Sequence, residues 1–166
     1  ATALSSAAAA PAASTRSARA DARWEPPSKV DEFRIEEPLG RGAMGQVFRA
    51  RDTVLDRPVA VKFLDAVESP SARKRFSIEA RAIARLNHPN VVTLYRSGEL
   101  DGHFFLVSEL LPGQTLESLS RPVPWLEALR IAQDVARGLA EAHRRGVLHR
   151  DIKPANIIRT DDGTAK

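Results

Sequence analysis

Large apolar residues are concentrated in five short runs along the chain, at 33–39, 46–50, 59–64, 91–100 and 104–110. These runs are rich in β-branched and aromatic residues, a composition that is typical of β-strands. A glycine cluster separates the first two runs, and Asp101-Gly102, a dipeptide suited to a tight hairpin turn, joins the last two. We therefore predict five antiparallel strands.

Two longer segments carry apolar residues at the spacing of an α-helix. The first, 69–87, begins with Ser69 as a helix N-cap and Pro70 in the first helical position. Its apolar positions recur at helical spacing: Phe76, Ile83 and Leu86. The second, 125–145, ends at Gly146, where a left-handed cap is usual. A β-rich lobe at about 33–110 thus precedes the start of a helical lobe at 114–166, and the predicted fold class is α+β.

The first 28 residues differ in composition from the rest of the chain. They are rich in alanine, serine, proline and arginine, with almost no large apolar residue before Trp24. Such a segment buries too little apolar surface to offset the entropy lost on ordering it. We predict a disordered tail or linker at 1–28 and one domain at 29–166. Because the first residue is alanine, we expect a fragment or processed product of a longer protein.

The overall composition, with 43% hydrophobic and 28% charged residues, is ordinary for a soluble globular protein. Lys+Arg exceed Asp+Glu by only 25 to 21 and form no basic run, so we expect no nucleic-acid binding. The absence of cysteine fits a reducing cytoplasm, and the four histidines lack metal-ligand spacing. No apolar run is long enough to span a membrane. We expect a cytoplasmic domain, whose parent protein could carry a membrane anchor downstream.

The segment 40–45 reads Gly-Arg-Gly-Ala-Met-Gly and matches the pattern G-x-G-x-x-G. Glycines at these positions let backbone amides approach phosphate oxygens without an intervening side chain. The pattern alone also fits a glycine-rich hairpin turn. In a dinucleotide-binding fold a helix would follow the glycines at once. Because the segment 46–50 is strand-like instead, we predict a strand-turn-strand loop.

Lys62 lies two residues after Ala60 on a predicted strand, so the two side chains share a face. Glu79 lies three residues after Phe76 and four before Ile83, which predicts a place on the inward stripe of the first helix. An unpaired carboxylate there would be costly to bury. We therefore predict an ion pair between Glu79 and Lys62 that would hold the lysine in place to contact phosphates.

The segment 149–156 reads His-Arg-Asp-Ile-Lys-Pro-Ala-Asn and follows the second predicted helix. It combines an acid, a cation and an amide at fixed spacing. Asp151 can accept the proton of an attacking hydroxyl, Lys153 can neutralise charge on a transferring phosphoryl group, and Asn156 offers an oxygen to Mg²⁺. This segment carries the most specific chemical signal in the sequence.

Taken together, these segments resemble the signature set of the protein kinases over about 33–166. The resemblance implies a five-stranded N-lobe with one helix, a hinge at 109–113 and a truncated C-lobe. It implies ATP and Mg²⁺ as cofactors, Asp151 as the catalytic base, Asn156 as a metal ligand, and catalytic roles for Lys62, Glu79 and Lys153. Because Lys153 follows Asp151 by two residues, the loop is similar to that of the serine/threonine kinases, so proteins with serine or threonine hydroxyls are the implied substrates.

The same resemblance implies an adenine slot between Val47, Ala60 and Ile158, with Ser108 as gatekeeper and Glu109 and Leu111 in the hinge. Plain core packing stays open for Val47 and Ile158. The full set of implied ATP-binding residues is Leu39, Gly40, Arg41, Gly42, Ala43, Met44, Gly45, Val47, Ala60, Lys62, Ser108, Glu109, Leu111 and Ile158.

In the family, an Asp-Phe-Gly segment that binds Mg²⁺ would begin about where this chain ends. We therefore expect the chain as given to be inactive and its parent to be an active kinase. Arg150 beside Asp151 resembles kinases that are activated by phosphorylation of the activation loop. A nucleotide-binding pseudokinase or scaffolding module stays open as an alternative. A small-molecule phosphotransferase would usually read His-Gly-Asp in the loop, so Arg150 disfavours that function.

Overall fold

A computed structural model of the chain describes residues 24–42, 45–65, 70–119 and 122–166. Within these ranges, six strands form one antiparallel sheet in the order β1-β2-β3-β4-β6-β5. They are β1 (Lys29–Val30), β2 (Phe33–Gly42), β3 (Gly45–Asp52), β4 (Arg57–Leu64), β5 (Leu94–Leu100) and β6 (His103–Glu109). The five predicted strands are all present, and β1 adds a short sixth one at the edge. Most of the predicted tail at 1–28 lies outside the described residues. The described part, 24–28, is not disordered as predicted, because Trp24 packs on the core of the first lobe and the Ser28 carbonyl accepts a hydrogen bond of 2.9 Å from the Ile35 N–H.

Side chains along β4 alternate between the two faces of the sheet. Val59, Val61 and Phe63 are buried, whereas Ala60 and Lys62 between them are half-buried and point to the opposite face. The buried face forms the core of the first lobe together with residues of β1, β2, β3 and β6. The opposite face carries Ala60 and Lys62, for which the sequence predicts nucleotide binding, and we refer to it by that prediction as the nucleotide face. The predicted alternation along this strand is confirmed.

The turn between β5 and β6 has the conformation that the sequence predicts. Asp101 and Gly102 have φ values of 49° and 82°, both in the left-handed region that a two-residue hairpin of this kind requires. Leu100 and His103 pair directly on either side of the turn. The short connection therefore fixes the register of the two strands.

Helix α1 (Pro70–Ile83) crosses one end of the nucleotide face, where Phe76 stacks on Phe104 at a centroid distance of 4.4 Å. It ends four residues before the predicted boundary at 87, and the predicted N-cap, Ser69, lies outside the described residues. Helix α2 (Trp125–Arg144) agrees with the prediction to within one residue, and Gly146 beyond it has a φ of 73°. No helix in the described part of the chain is long and apolar enough to cross a membrane.

The second lobe is built on α2 and on a two-stranded sheet that the sequence does not predict. Strand β7 (Gly113–Thr115) pairs with β8 (Ile158–Thr160), and a 3-10 helix at Pro154–Asn156 precedes β8. Both strands have only three residues, so no periodic pattern marks them. The described chain is thus α+β, with a β-rich lobe followed by the first elements of a second lobe.

The segment between α1 and β5 is anchored to the second lobe through Asn90. The buried Asn90 Nδ2 donates a hydrogen bond of 2.9 Å to the carbonyl oxygen of Ala165. The Asn90 carbonyl packs on Gly138 of α2, where a Cβ atom would come within 2.4 Å of that oxygen. This contact explains why a glycine stands in the middle of α2, where it otherwise costs helix stability.

Candidate functional site

The nucleotide face brings the predicted ATP-binding residues of three neighbouring strands together. Val47 of β3 pairs with Lys62 of β4, and Ala60 of β4 pairs with Ser108 of β6. Directly paired residues of antiparallel strands have their side chains on the same face. All four side chains are half-buried, so this part of the face is accessible as well as apolar at Val47 and Ala60.

The glycine segment forms the connection between β2 and β3, as predicted. Arg41 pairs with Gln46 and Gly42 with Gly45, which makes a strand-turn-strand loop. Gly45 has a φ of 134°, and a Cβ atom there would lie 1.9 Å from the carbonyl oxygen of Phe63. Both the backbone angle and the close approach therefore require glycine at position 45. The tip residues Ala43 and Met44 lie outside the described residues.

Gly40 and Gly42 occupy open positions in the same loop. A Cβ atom at either one would meet nothing within 4 Å. Glycine is therefore not required there by packing within the protein. The free space is consistent with a loop whose backbone can be approached closely by a ligand.

The predicted pair of Glu79 and Lys62 is not formed in this structure. Glu79 is exposed on α1, and among the described residues neither side chain makes an ion pair. The inward stripe of the helix instead passes through Phe76 and Ala80, which is 3% exposed. Glu79 precedes Ala80 by one residue, or about 100° of helical rotation, which turns its side chain out of the stripe. The predicted inward position of Glu79 is wrong for this structure.

The catalytic-loop candidates form one hydrogen-bonded cluster. Lys153 Nζ lies 2.9 Å from Asp151 Oδ2, and Asn156 Nδ2 donates to the same oxygen at 2.9 Å. A second hydrogen bond of 2.8 Å runs from Asn156 Nδ2 to the backbone carbonyl of Asp151. Because a carboxylate only accepts, the nitrogen of the Asn156 amide must face Asp151, which directs its oxygen elsewhere.

These contacts keep Asp151 ionised. The hydrogen bond from Lys153, followed by that from Asn156, lowers the pKa of the Asp151 carboxyl below its usual value. Arg150 has a φ of 63°, a strained conformation for a residue with a long side chain. The backbone N–H of Asp151 points back to His149 Nδ1 at 3.3 Å. The backbone thus turns sharply at Arg150 and presents Asp151 beside Lys153.

Sequence reasoning missed the side-chain contacts of Glu109, which was predicted as an ATP-binding residue of the hinge. Lys166 Nζ lies 2.8 Å and 2.9 Å from the two Glu109 carboxylate oxygens, and the Thr93 N–H donates to Oε1 at 2.7 Å. Burial raises the pKa of the Glu109 carboxyl, but the hydrogen bonds from Lys166 and Thr93 outweigh it, so the net pKa is lowered. No local signal links these positions, because Glu109 and Lys166 are 57 residues apart.

The remaining predicted ATP-binding residues lie on three different parts of the chain: Leu39 on β2, Leu111 in the connection between the lobes and Ile158 on β8. Leu111 and Ile158 are half-buried, whereas Leu39 at the loop is 49% exposed. Partial exposure of apolar side chains is what an open adenine slot requires, since a bound ring would cover them. Ser108 Oγ donates a hydrogen bond of 3.3 Å to the carbonyl of Glu109, so the side chain of the predicted gatekeeper is hydrogen-bonded to the backbone of the predicted hinge.

The polar side chains of the site can be compared with the ligands that Mg²⁺ and a nucleotide require. Among the described residues, no three His, Cys, Asp or Glu side chains come together as a metal cluster. Mg²⁺ bound to nucleotide usually takes only one or two protein oxygens and completes its shell with phosphates and water. Asn156 Oδ1, which faces away from Asp151, suits one such position, and Lys62 on the nucleotide face suits a phosphate. The residues present therefore fit a Mg²⁺–nucleotide complex.

Comparison with known proteins is consistent across sequence and structure. The family model of the protein kinase domain matches residues 33–166. Over 139 residues, the chain is 41% identical to serine/threonine-protein kinase PknL of Mycobacterium bovis and 37% identical to serine/threonine-protein kinase PrkC of Bacillus subtilis. Each alignment covers 81% of this chain, but 35% of PknL and 22% of PrkC. The chain therefore spans about a third or less of the length of these relatives.

The solved structures agree with the sequence comparison. The crystal structure of the Mycobacterium tuberculosis PknI kinase domain matches with a TM-score of 0.72 at 30% identity, over 81% of this chain and 57% of that chain. A structure titled PpkA-294 apo form matches with a TM-score of 0.70 at 25% identity, over 82% of this chain and 57% of that chain. The β-rich lobe and the start of the second lobe are thus shared with both.

Proposed function

Because the chain belongs to the protein kinase family, we propose that its parent protein transfers the γ-phosphoryl group of ATP to serine or threonine hydroxyls of proteins. The observation that carries this proposal is the cluster of Asp151, Lys153 and Asn156. A carboxylate held ionised by a cation and an amide is suited to accept the proton of an attacking hydroxyl. Several relatives, including PknL and PrkC, carry the name serine/threonine-protein kinase.

Each group of residues has a separate task in this proposal. The glycine loop from Gly40 to Gly45 covers the phosphates, Lys62 contacts them, and the side chains of the nucleotide face receive the adenine. Lys153 neutralises charge on the phosphoryl group, and Asn156 supplies an oxygen to Mg²⁺. When bound, Mg²⁺ offsets the negative charge of the phosphates. We further propose a cytoplasmic location for the domain, with ATP and proteins as its partners.

We propose that Glu79 pairs with Lys62 only after helix α1 has turned. In the present structure Glu79 is exposed, so the pair requires a rotation or shift of α1 toward β4. The stacked pair of Phe76 and Phe104 is the contact that such a movement would have to change. The carboxylate would then fix the ammonium group of Lys62 beside the phosphates.

The function is tested by Asp151→Asn in the full-length parent protein. Phosphoryl transfer to a protein substrate, followed by radiolabel, is expected to fall by orders of magnitude, whereas the Kd for ATP stays within about twofold. Asp161→Asn, the same change at an exposed position ten residues downstream, is the matched control and should leave both quantities unchanged. An undiminished transfer rate in Asp151→Asn would refute the proposed base.

A nucleotide-binding pseudokinase is the second candidate. The observation that favours it is that Lys62 forms no ion pair with any of the described residues. A protein that only binds nucleotide does not need the Glu79 ion pair. This candidate predicts ATP binding with no transfer in the wild-type parent protein under any activating condition. Phosphoryl transfer by the wild-type protein that is abolished in Asp151→Asn would exclude the pseudokinase.

A further inference from the structure

Trp24, which precedes the first strand, packs on the sheet of the first lobe. Its indole stacks on the His103 imidazole, with centroids 4.0 Å apart and ring planes at 19°. It also contacts the Phe63 ring at a centroid distance of 5.2 Å. The Gln46 side chain donates a hydrogen bond of 3.4 Å to the Trp24 carbonyl. Residues of three different strands, β3, β4 and β6, therefore hold this one tryptophan.

The same residues form the base of the glycine loop. Gln46 pairs with Phe63 and Gly45 pairs with Leu64, so the end of β4 supports the strand that leaves the loop. Gly45 also lies in direct contact with the Phe63 backbone, where a side chain would not fit. Trp24 thus contacts the ring of Phe63, while Gly45 of the loop contacts the Phe63 backbone.

A small cavity of about 50 Å³ gives a second connection between Trp24 and the loop. Its wall includes Trp24 together with Arg41 of the loop, and Asp65 and His103 complete the charged and titratable part of the lining. Removal of the indole would enlarge this cavity beside Arg41. Larger voids in a packed region weaken the contacts of the residues around them.

We propose that Trp24 is a positioning residue for the nucleotide-binding loop, acting through Phe63 and Gln46. The proposal rests on the proposed ATP-binding function of that loop. With the indole in place, the ends of β3 and β4 are held together and the loop keeps the geometry that binds phosphates. Without it, these strand ends open more often, and ATP binds to a smaller fraction of molecules with an ordered loop.

The test uses the full-length protein and compares Trp24→Ala with Trp24→Phe, which retains an aromatic ring. Trp24→Ala is expected to weaken ATP binding about fivefold, whereas Trp24→Phe stays within about twofold of wild type. Trp125→Ala is the matched control, because Trp125 is the other tryptophan and is 77% exposed on α2. It should leave the ATP affinity unchanged.

Hydrogen exchange separates positioning from a general loss of stability. In Trp24→Ala the amides of Gly45, Gln46 and Leu64 should exchange faster, while those in the middle of α2 keep their wild-type rates. Equal acceleration throughout the protein, or an ATP affinity equal to that of Trp125→Ala, would overturn the proposal. If Trp24→Ala does not fold, His103→Ala is compared with His103→Phe. Both lose the contact of His103 Nδ1 with the Leu64 carbonyl, and only the alanine also loses the ring that stacks on Trp24, so a smaller change of the same kind is expected in His103→Ala alone.

Failure of the proposed function gives a different result. A wild-type protein that binds no ATP contradicts the kinase function, yet its loop amides still show whether Trp24 positions the loop. Conversely, normal ATP binding that is insensitive to Trp24 contradicts only the positioning role.

Discussion

Replacement of Lys166 by methionine should destabilise the protein well beyond the effect of losing a surface charge. The substitution keeps most of the side-chain volume but removes the ammonium group that contacts both oxygens of Glu109. The Lys166 and Glu109 side chains are only 18% and 19% exposed. Glu109 would then keep only its hydrogen bonding to Thr93 in a site that still disfavours its charge.

The magnitude follows from the intermediate burial of the pair. Exposed ion pairs contribute about 0–1 kcal/mol, and removal of one partner from a fully buried pair costs about 3–5 kcal/mol. We therefore expect Lys166→Met to lower the free energy of unfolding by about 2 kcal/mol, roughly a 30-fold change in the unfolding equilibrium. Urea titration followed by far-UV circular dichroism would measure it.

Arg51→Met is the matched control, because it breaks an ion pair with Asp56, whose side chain is 83% exposed. Its effect should stay below about 1 kcal/mol. A loss in Lys166→Met no larger than that in Arg51→Met would refute the argument from burial. Glu109→Gln combined with Lys166→Met should be less harmful than the sum of the two single changes, since both remove the same interaction.

The difference in unfolding free energy between wild type and Lys166→Met depends on pH in a defined direction. The pKa of Glu109 is lowered in the folded state, so its contribution to stability is present above the pKa of the unfolded state and is lost as the pH falls through the folded value. The stability gap between wild type and Lys166→Met should therefore be full at neutral pH and shrink below about pH 4. A gap that widens on acidification would contradict the assignment.

Three further predictions concern α2, α1 and the catalytic loop. Gly138→Ala should cost about 1–3 kcal/mol in urea unfolding, because its Cβ would overlap a backbone oxygen that packs on α2; no loss would contradict this close contact. Without nucleotide, Lys62→Met and Glu79→Gln should change the free energy of unfolding additively within about 0.5 kcal/mol, and strong coupling would mean that the two residues already interact. Lys153→Met should raise the pKa of the Asp151 carboxyl, so the acidic limb of the pH–rate profile moves to higher pH, and an unmoved limb would exclude the lysine as its cause.

Local patterns were sufficient for features that depend on neighbouring residues. The turn at Asp101-Gly102 and the alternation along β4 depend on backbone preference and on a period of two, both of which are visible in a few residues. The cluster around Asp151 lies within six residues, so a short motif could predict its chemistry. Strands of two or three residues carry too few positions for any period to show.

The predictions that were wrong or missing concern contacts between residues that are far apart in the sequence. Helical spacing predicted Glu79 on the inward stripe of α1, but Phe76 packs on Phe104 and Ala80 is buried, which leaves Glu79 exposed. The ion pair of Lys166 with Glu109 requires two elements to meet across the lobes, which no local period encodes. The role of Trp24 was also missed, because its neighbours belong to strands that follow it by 22 residues or more.

The anchoring of Asn90 bears on how the two lobes can move. Although Asn90 precedes the hinge in sequence, its side chain is bound to Ala165 and its backbone packs on α2. In the part of the chain that the structure describes, the first lobe is therefore attached to the second at two places. These are the connection at 109–113 and the segment between α1 and β5, where Arg145 Nη1 also donates to the Arg85 carbonyl at 3.3 Å. A body held at two points can turn freely only about the line that joins them. Relative motion of the lobes is accordingly expected to be a rotation about that one axis, with little twisting or sliding.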